Sequence, residues 1–340
     1  MPTNPSSNFR NRPSDQYGPF QILSLDGGGF RGLFAARCLA LWEEQSGRRA
    51  ADCFDLISGT STGAILALGL SLGIPARQLV DFYLVDGRAI FPTSRIARAY
   101  RACRRWIRPE FPSATLSAAL RKRLGEHSRL GDCRTRVIVP AYDLSTRRPY
   151  LFKTDHHPDY KYDWTRPAWE VAMASTAAPT YFPCYRSSWK SIYVDGGVWA
   201  NNPSYIGHFE ATEVLGVPSP NVRILNLGTG VPRQGNGDLS WKERLGIVGW
   251  AAQITDVVLD ANALATGGVL DRICGENYVR VTPSIGHEQM PLDRYRPEQL
   301  LALAEERARF FAGAAEAFFQ HGAAPYPKHR ATQISMEAIT

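Results

Sequence analysis

Seven short apolar runs punctuate the chain: FQILSL (20–25), FDLIS (54–58), RVIVPAYDL (136–144), YLFKT (150–154), SIYVD (191–195), VRILNLG (222–228) and YVRVTP (278–283). They are rich in Val, Ile, Leu and Tyr and alternate little, the pattern of strands covered on both faces. Segments with helical periodicity lie between several of them, at 33–46, 62–72, 113–124, 167–177 and 204–215. Strand and helix in alternation predict a three-layer α/β/α fold with a mainly parallel central sheet. After about residue 236 the pattern turns mostly helical, and 297–322 reads as a helical stretch packed on the same domain.

Two glycine-rich turns interrupt this pattern at strand ends. The first, LSLDGGGFRG (23–32), follows the first apolar run. Its Gly27, Gly29 and Gly32 satisfy G-x-G-x-x-G, so by itself the loop fits a dinucleotide phosphate or the oxygen of a reacting ester. The second lies in FDLISGTSTGAILALGL, where Gly59, Ser61 and Gly63 form G-x-S-x-G between a strand and a helix. That frame is the one a nucleophile elbow needs: the glycines permit a sharp turn and the serine hydroxyl stands at a helix N-terminus. A dinucleotide site would need an acidic residue at the carboxyl end of the second strand. Asp52 and Asp55 precede or open that strand, and its end is the serine turn.

A base for the serine is offered by SIYVDGGVWANNP, in which Asp195 closes a strand before Gly196 and Gly197. Strand carboxyl ends share one edge of a parallel sheet, which predicts Asp195 beside the elbow. Asp-Gly-Gly is equally the composition of a tight turn. Of the seven histidines only His208, His287, His321 and His329 follow Asp195, as the usual hydrolase order requires, and none stands in a strand-to-loop context.

Taken together and in this order, D-G-G-G-x-R-G, G-T-S-T-G and D-G-G resemble the patatin-like phospholipases over roughly residues 20–230. The resemblance implies a Ser–Asp dyad without histidine: Ser61 as nucleophile and Asp195 as its base. It also implies an oxyanion hole from Gly27, Gly28 and Gly29 with Arg31 beside them, and no metal or cofactor. The block ASTAAPTYFP (174–183) resembles a family segment that shapes the site. The layout around SLDGGGFRGLFAA, LFKTDHH and VDGGVWANNPS is similar to the phospholipase effectors of bacterial CBASS anti-phage systems, which a cyclic dinucleotide activates. That likeness implies lipid degradation in antiviral defence. The expected organisation is then a flexible arm at 1–17, a patatin-like catalytic domain at 18–235 and a helical C-terminal extension at 236–340.

Composition adds limits. With 44% apolar and 21% charged residues the chain can bury a large core. A formal charge of +7 suits anionic lipid or a nucleotide, and equally an ordinary basic surface. Six scattered cysteines without C-x-x-C argue against a zinc site or disulfide framework and fit a reducing cytosol. The N-terminus lacks an apolar signal segment, and the uncharged stretch 56–76 opens with Ser, Gly and Thr, so a soluble protein is expected. Arg95, Arg98, Arg101, Arg105 and Arg108 recur at helical spacing opposite an apolar side carrying Trp106. This reads as a membrane face or as a solvated basic helix packed on the core. Lys153, His156 and His157 form a second basic cluster, either a ligand or phosphate contact or a charged loop.

The expected partners are a phospholipid surface, a cyclic dinucleotide activator and further copies of the chain, with no nucleic acid polymer. The expected location is the cytoplasm, peripheral to the inner membrane in the active state. A constitutive patatin-like lipase, an inactive nucleotide sensor and a Rossmann oxidoreductase are the rival readings.

Overall fold

A computed structural model describes residues 18–92, 108–232, 254–285 and 296–329, together with Gly246 and Trp250. The expectations for the arm 1–17 and for Arg95, Arg98, Arg101, Arg105 and Trp106 lie outside the described residues, whereas Arg108 is described and exposed.

The seven apolar runs all form strands. In chain order the strands are β1 (Phe20–Leu25), β2 (Leu56–Gly59), β3 (Arg136–Asp143), β4 (Arg148–Lys153), β5 (Tyr185–Arg186), β6 (Ile192–Asp195), β7 (Val222–Leu227), β8 (Val231–Pro232), β9 (Tyr278–Val281) and β10 (Ser284–Ile285). The main sheet runs β5-β6-β3-β2-β1-β7-β9, with β4 also on β3, and β8 and β10 pair separately. From β3 to β9 the main sheet is parallel, whereas β4, β5 and β6 are antiparallel additions on one side.

Side chains on alternate positions enter two cores, which is why the strands read as continuous apolar runs. Leu23, Leu25, Ile57 and Val139 face a core shared with the helices Gly32–Ser46 and Thr62–Ser71. Ile22, Leu56, Ile138 and Ile224 face one shared with Ser204–Phe209 and Ile254–Cys274. The C-terminal stretch 297–322 is helical, as its pattern predicts. It breaks at Phe311 into Pro297–Phe310 and Ala312–Phe319. Packing explains the break: Phe318 stacks on Phe54 at 5.8 Å and Phe319 meets it edge-on at 5.9 Å. Among the described residues no helix is long and apolar enough to cross a membrane.

The elbow follows from sheet geometry. β2 ends at Gly59, level with β1's Leu25, and the chain turns there into the helix Thr62–Ser71. A Cβ at Gly63 would collide with the Leu25 carbonyl, so only glycine lets the helix start this close to the sheet.

Candidate active site

Ser61 carries φ 54° and ψ −120°, an unfavourable backbone state for a residue with a Cβ. Such strain costs on the order of 1–3 kcal/mol and persists only where neighbours enforce it. Here the Ser61 N–H donates to Ser175 Oγ at 2.9 Å, and Ser175 Oγ donates to the Pro140 carbonyl at 2.7 Å. The Ser61 hydroxyl is thereby held at the helix N-terminus, where it donates to Asp195 Oδ2 at 2.6 Å.

Asp195 reaches this point by a different route from the one that strand direction predicts. β6 runs antiparallel to β3, so its carboxyl end does not share the edge of the parallel strands by direction. Instead β3 continues past the end of β2, and β6 pairs only with that overhang, Ala141 to Asp143. Running back along it, β6 stops at Asp195 opposite Ala141, beside the serine turn. The carboxylate is 2% exposed; its Oδ1 accepts the Gly197 N–H at 2.7 Å. Burial pushes its pKa up to about 7, with the Ser61 and Gly197 hydrogen bonds pulling the other way.

The glycine loop is aimed by three residues outside it. The Gly27 N–H is already engaged by the Asn201 carbonyl at 2.9 Å, so it is an anchor and not an oxyanion donor. The Gly27 carbonyl accepts from Thr229 Oγ1 at 2.6 Å. The Gly28 carbonyl accepts from the Arg31 N–H at 3.1 Å and from Arg31 Nε at 3.4 Å. In a planar trans peptide C=O and N–H point oppositely, so fixing those two carbonyls fixes the Gly28 and Gly29 N–H groups. Both glycines line the cleft that holds Ser61 and Asp195. Arg31 therefore braces the loop. Burial presses its guanidinium toward lower pKa, opposed by the charges of Asp260 and Asp256.

Asp26, at the loop's start, is buried against Arg280 Nη2 at 2.9 Å and Asn226 Nδ2 at 2.7 Å, and burial raises its pKa against both. The segment 174–183 supplies Ser175, the Ala177 carbonyl that accepts the Asp195 N–H at 3.0 Å, and the cleft residues Thr176, Tyr181 and Phe182. Asn201 lies in the VDGGVWANNPS segment, whereas Thr229, Asn226 and Arg280 had no signal in the sequence. Thr229 lies 202 positions from the residue it holds.

Thr229→Val keeps shape and removes the hydroxyl on Gly27. We expect kcat to fall on the order of tenfold while the thermal midpoint drops by only the few degrees that about 1 kcal/mol produces. Steady-state kinetics beside thermal unfolding check this; an unchanged kcat would show that the loop is aimed without Thr229.

From the serine the cleft runs between apolar walls that include Ile65, Phe82, Tyr83, Ile90, Phe91, Leu116 and Phe182. Its water-accessible space is about 60 Å³. That holds a handful of waters at ~10–15 Å³ each, not a long acyl chain. Tyr83 lies in a π-helical turn, Phe82–Asp86, and its hydroxyl meets Thr62 Oγ1 at 2.5 Å.

The second basic cluster does not face outward as a phosphate contact would. Lys153 Nζ pairs with Glu210 Oε2 at 2.5 Å, and the fully buried His156 bonds Glu210 Oε1 through Nε2 at 3.0 Å. The Glu210 carboxylate can only accept, which calls for the imidazole proton on Nε2, and in the neutral ring Nδ1 then accepts from Thr154 Oγ1, itself the acceptor of the Val137 N–H. Burial lowers the His156 pKa. It would also raise that of Glu210, but His156 and Lys153 outweigh it and hold Glu210 at about 2. Lys153 and His156 thus turn onto Glu210 in an internal network, Lys153 keeping a side-chain exposure of 14%, and His157 is partly exposed, facing Asp159. Among the described histidines none bonds Ser61 or Asp195: His208 meets Ser219 and His321 meets Asp55. No group of three or more metal-binding side chains occurs among the described residues.

A strained serine at a strand–helix turn, a buried carboxylate on its hydroxyl and a braced glycine loop meet at one cleft of a three-layer α/β fold, the arrangement that a serine hydrolase requires. The chain belongs to the patatin-like phospholipase family, whose profile matches residues 23–206. It is 36% identical over 284 residues to a cGAMP-activated phospholipase of Pseudomonas aeruginosa, spanning 81% of this chain and 83% of that one. A cGAMP-activated phospholipase of Vibrio cholerae is 41% identical over 226 residues, spanning 62% of this chain and 64% of that protein. Among solved structures, VipD from Legionella pneumophila aligns over 88% of this chain and 67% of its own at 12% identity and a TM-score of 0.46.

Proposed function

We propose that this chain hydrolyses carboxylic esters of membrane phospholipids through a Ser61–Asp195 dyad, and that a cyclic dinucleotide switches it on in anti-phage defence. The observation that carries the chemistry is the 2.6 Å hydrogen bond from Ser61 Oγ to the buried Asp195 at the mouth of an apolar cleft. In this reading Ser61 Oγ attacks the acyl carbonyl while its proton passes to Asp195 Oδ2. The tetrahedral oxyanion is met by the Gly28 and Gly29 N–H groups and the dipole of the helix Thr62–Ser71. Collapse returns the proton from Asp195 to the departing alkoxide and leaves an acyl-serine. Water then gives a proton to Asp195 and attacks the acyl carbon; collapse breaks the bond to Ser61 Oγ, which takes the proton back from Asp195 as the fatty acid leaves.

Control by a nucleotide is supported by the similarity to cGAMP-activated phospholipases, and the narrowness of the cleft is consistent with an enzyme held back until activated. The working place would be the inner face of the cytoplasmic membrane, with further copies of the chain as candidate partners. Release of fatty acid from phospholipid vesicles, with and without cGAMP, tests the reading. The expected result is a severalfold rise on addition of nucleotide. Full activity without it would leave a constitutive patatin-like lipase.

The pKa of Asp195 predicts the pH profile. Below about pH 7 the carboxyl is protonated in the free enzyme and cannot take the serine proton. Thus kcat/KM on a soluble ester should fall about tenfold per pH unit below that point and level off above it. A profile flat from pH 5 to 8 would remove Asp195 as the base.

A further inference from the structure

On the far side of the helix Gly32–Ser46 from the serine, four arginines surround an open basin of about 690 Å³. Its volume lies in the range of small-molecule sites, roughly 300–1,000 Å³. We propose that Arg37, Arg48, Arg49 and Arg77 bind the phosphates of the activating cyclic dinucleotide. This rests on the nucleotide control proposed above and gives it a place.

The arginines are available to an anion. Arg77 is exposed and has no ion pair or side-chain hydrogen bond among the described residues. Arg49 is 54% exposed and reaches Glu43 only at 3.3 Å. Arg37 pairs with Glu305 at 2.8 Å, but this pair sits at the surface, where such bridges contribute little and exchange readily. Arg48 Nη1 donates to the Phe319 and Gln320 carbonyls, leaving its other N–H groups for a phosphate. Four arginines stand against Glu43, Glu44 and Arg37's partner Glu305, so the basin keeps a net positive charge, the sign that phosphodiesters require. The basin lining contains no large apolar side chain, which favours a soluble phosphate ligand over a bilayer, and guanidinium planes stack on purines.

Both walls of the basin lead to the active site. The helix Gly32–Ser46 begins directly after the glycine loop, and Arg31 at its start braces that loop. Buried Glu43 accepts the N–H of Ala50 and of Ala76, each at 2.9 Å. Ala76 opens the helical run whose Phe82, Tyr83 and Ile90 line the cleft. A ligand that draws Arg49 away from Glu43 and gathers Arg77 would shift this run at its root, where a small rotation widens the cleft beside Ser61. Such a ligand acts through its preference for the open arrangement alone.

The test is calorimetric binding of cGAMP together with its activation curve on phospholipid vesicles, for the wild type, Arg77→Ala, Arg49→Ala and His157→Ala. Ligand-free hydrolysis and thermal midpoints are recorded for each. We expect wild-type binding, a loss of about 10–100-fold in affinity for each arginine variant, and a His157→Ala response within twofold of wild type. Wild-type affinity in both arginine variants would overturn the basin while leaving nucleotide control standing. A wild type that neither binds nor responds to cGAMP would overturn both. Inorganic phosphate or phosphatidylglycerol vesicles competing as well as cGAMP would overturn the dinucleotide assignment. Loss of response in His157→Ala alone would move the site to the loop at 156–160.

Discussion

Ser61→Ala is expected to lower ester hydrolysis on the order of 10⁴-fold or more, with Asp195→Asn close behind and the double variant little worse than either. Non-additivity follows from the geometry, since the 2.6 Å bond makes the two residues one proton-transfer unit. Neither change should unfold the protein. Alanine retains the Cβ and the backbone anchor to Ser175. Asparagine has the shape to keep the Gly197 contact, and it removes a buried charge.

The sign of that second effect is testable. The folded pKa of Asp195, about 7, lies above that of an unfolded aspartate, so the folded state binds the proton more tightly. Its contribution to stability is therefore fully present at low pH and is lost as pH rises toward 7. Asp195→Asn should melt higher than wild type at pH 8 and gain nothing at pH 4. Substantial hydrolysis by purified Ser61→Ala would remove the serine from the mechanism, and an active Asp195→Asn would remove the aspartate as base.

Gly28→Ala should cost about 10²–10³ in kcat, the effect of losing one oxyanion donor. A side chain at Gly28 would not stand in the path of the oxyanion. It would collide with the Thr229 side chain on the other side of the loop. The φ of Gly28, 166°, lies outside the left-handed region that favours glycine, whereas the collision with Thr229 leaves no space for a side chain. The added methyl pushes the loop off Thr229 and turns the N–H groups of Gly28 and Gly29 away from the serine. The Thr229 Cβ itself collides with that methyl, so only Thr229→Gly in the same chain makes room for it, and that pair should be more active than Gly28→Ala alone. Kinetics of the two singles and the double decide the matter. A double variant no better than Gly28→Ala would show that the collision is not the cause.

Gly63 and Ser61 illustrate what the order of residues determines by itself. Strand, sharp turn and helix are local events, and the glycines that permit them are local in sequence. The apolar runs likewise announce a sheet covered on both faces, since burial on both faces leaves no polar alternation. For the same reason the elbow is legible in the chain alone.

Tertiary structure decided what depends on partners far apart along the chain. It brought Asp195 to the serine through an antiparallel strand on the overhang of β3, not through a shared strand direction. It chose which glycine N–H groups remain free, because Asn201 and Thr229 take the polar groups of Gly27. It turned Lys153 and His156 inward onto Glu210, more than 50 residues away, where composition suggested a phosphate contact. It broke the C-terminal helix at Phe311 so that two phenylalanines could pack on Phe54. Periodicity records how often a side chain is buried, not which atom it meets. Those meetings are set by close packing and by the need of each buried polar group for a partner, and only the folded chain supplies both.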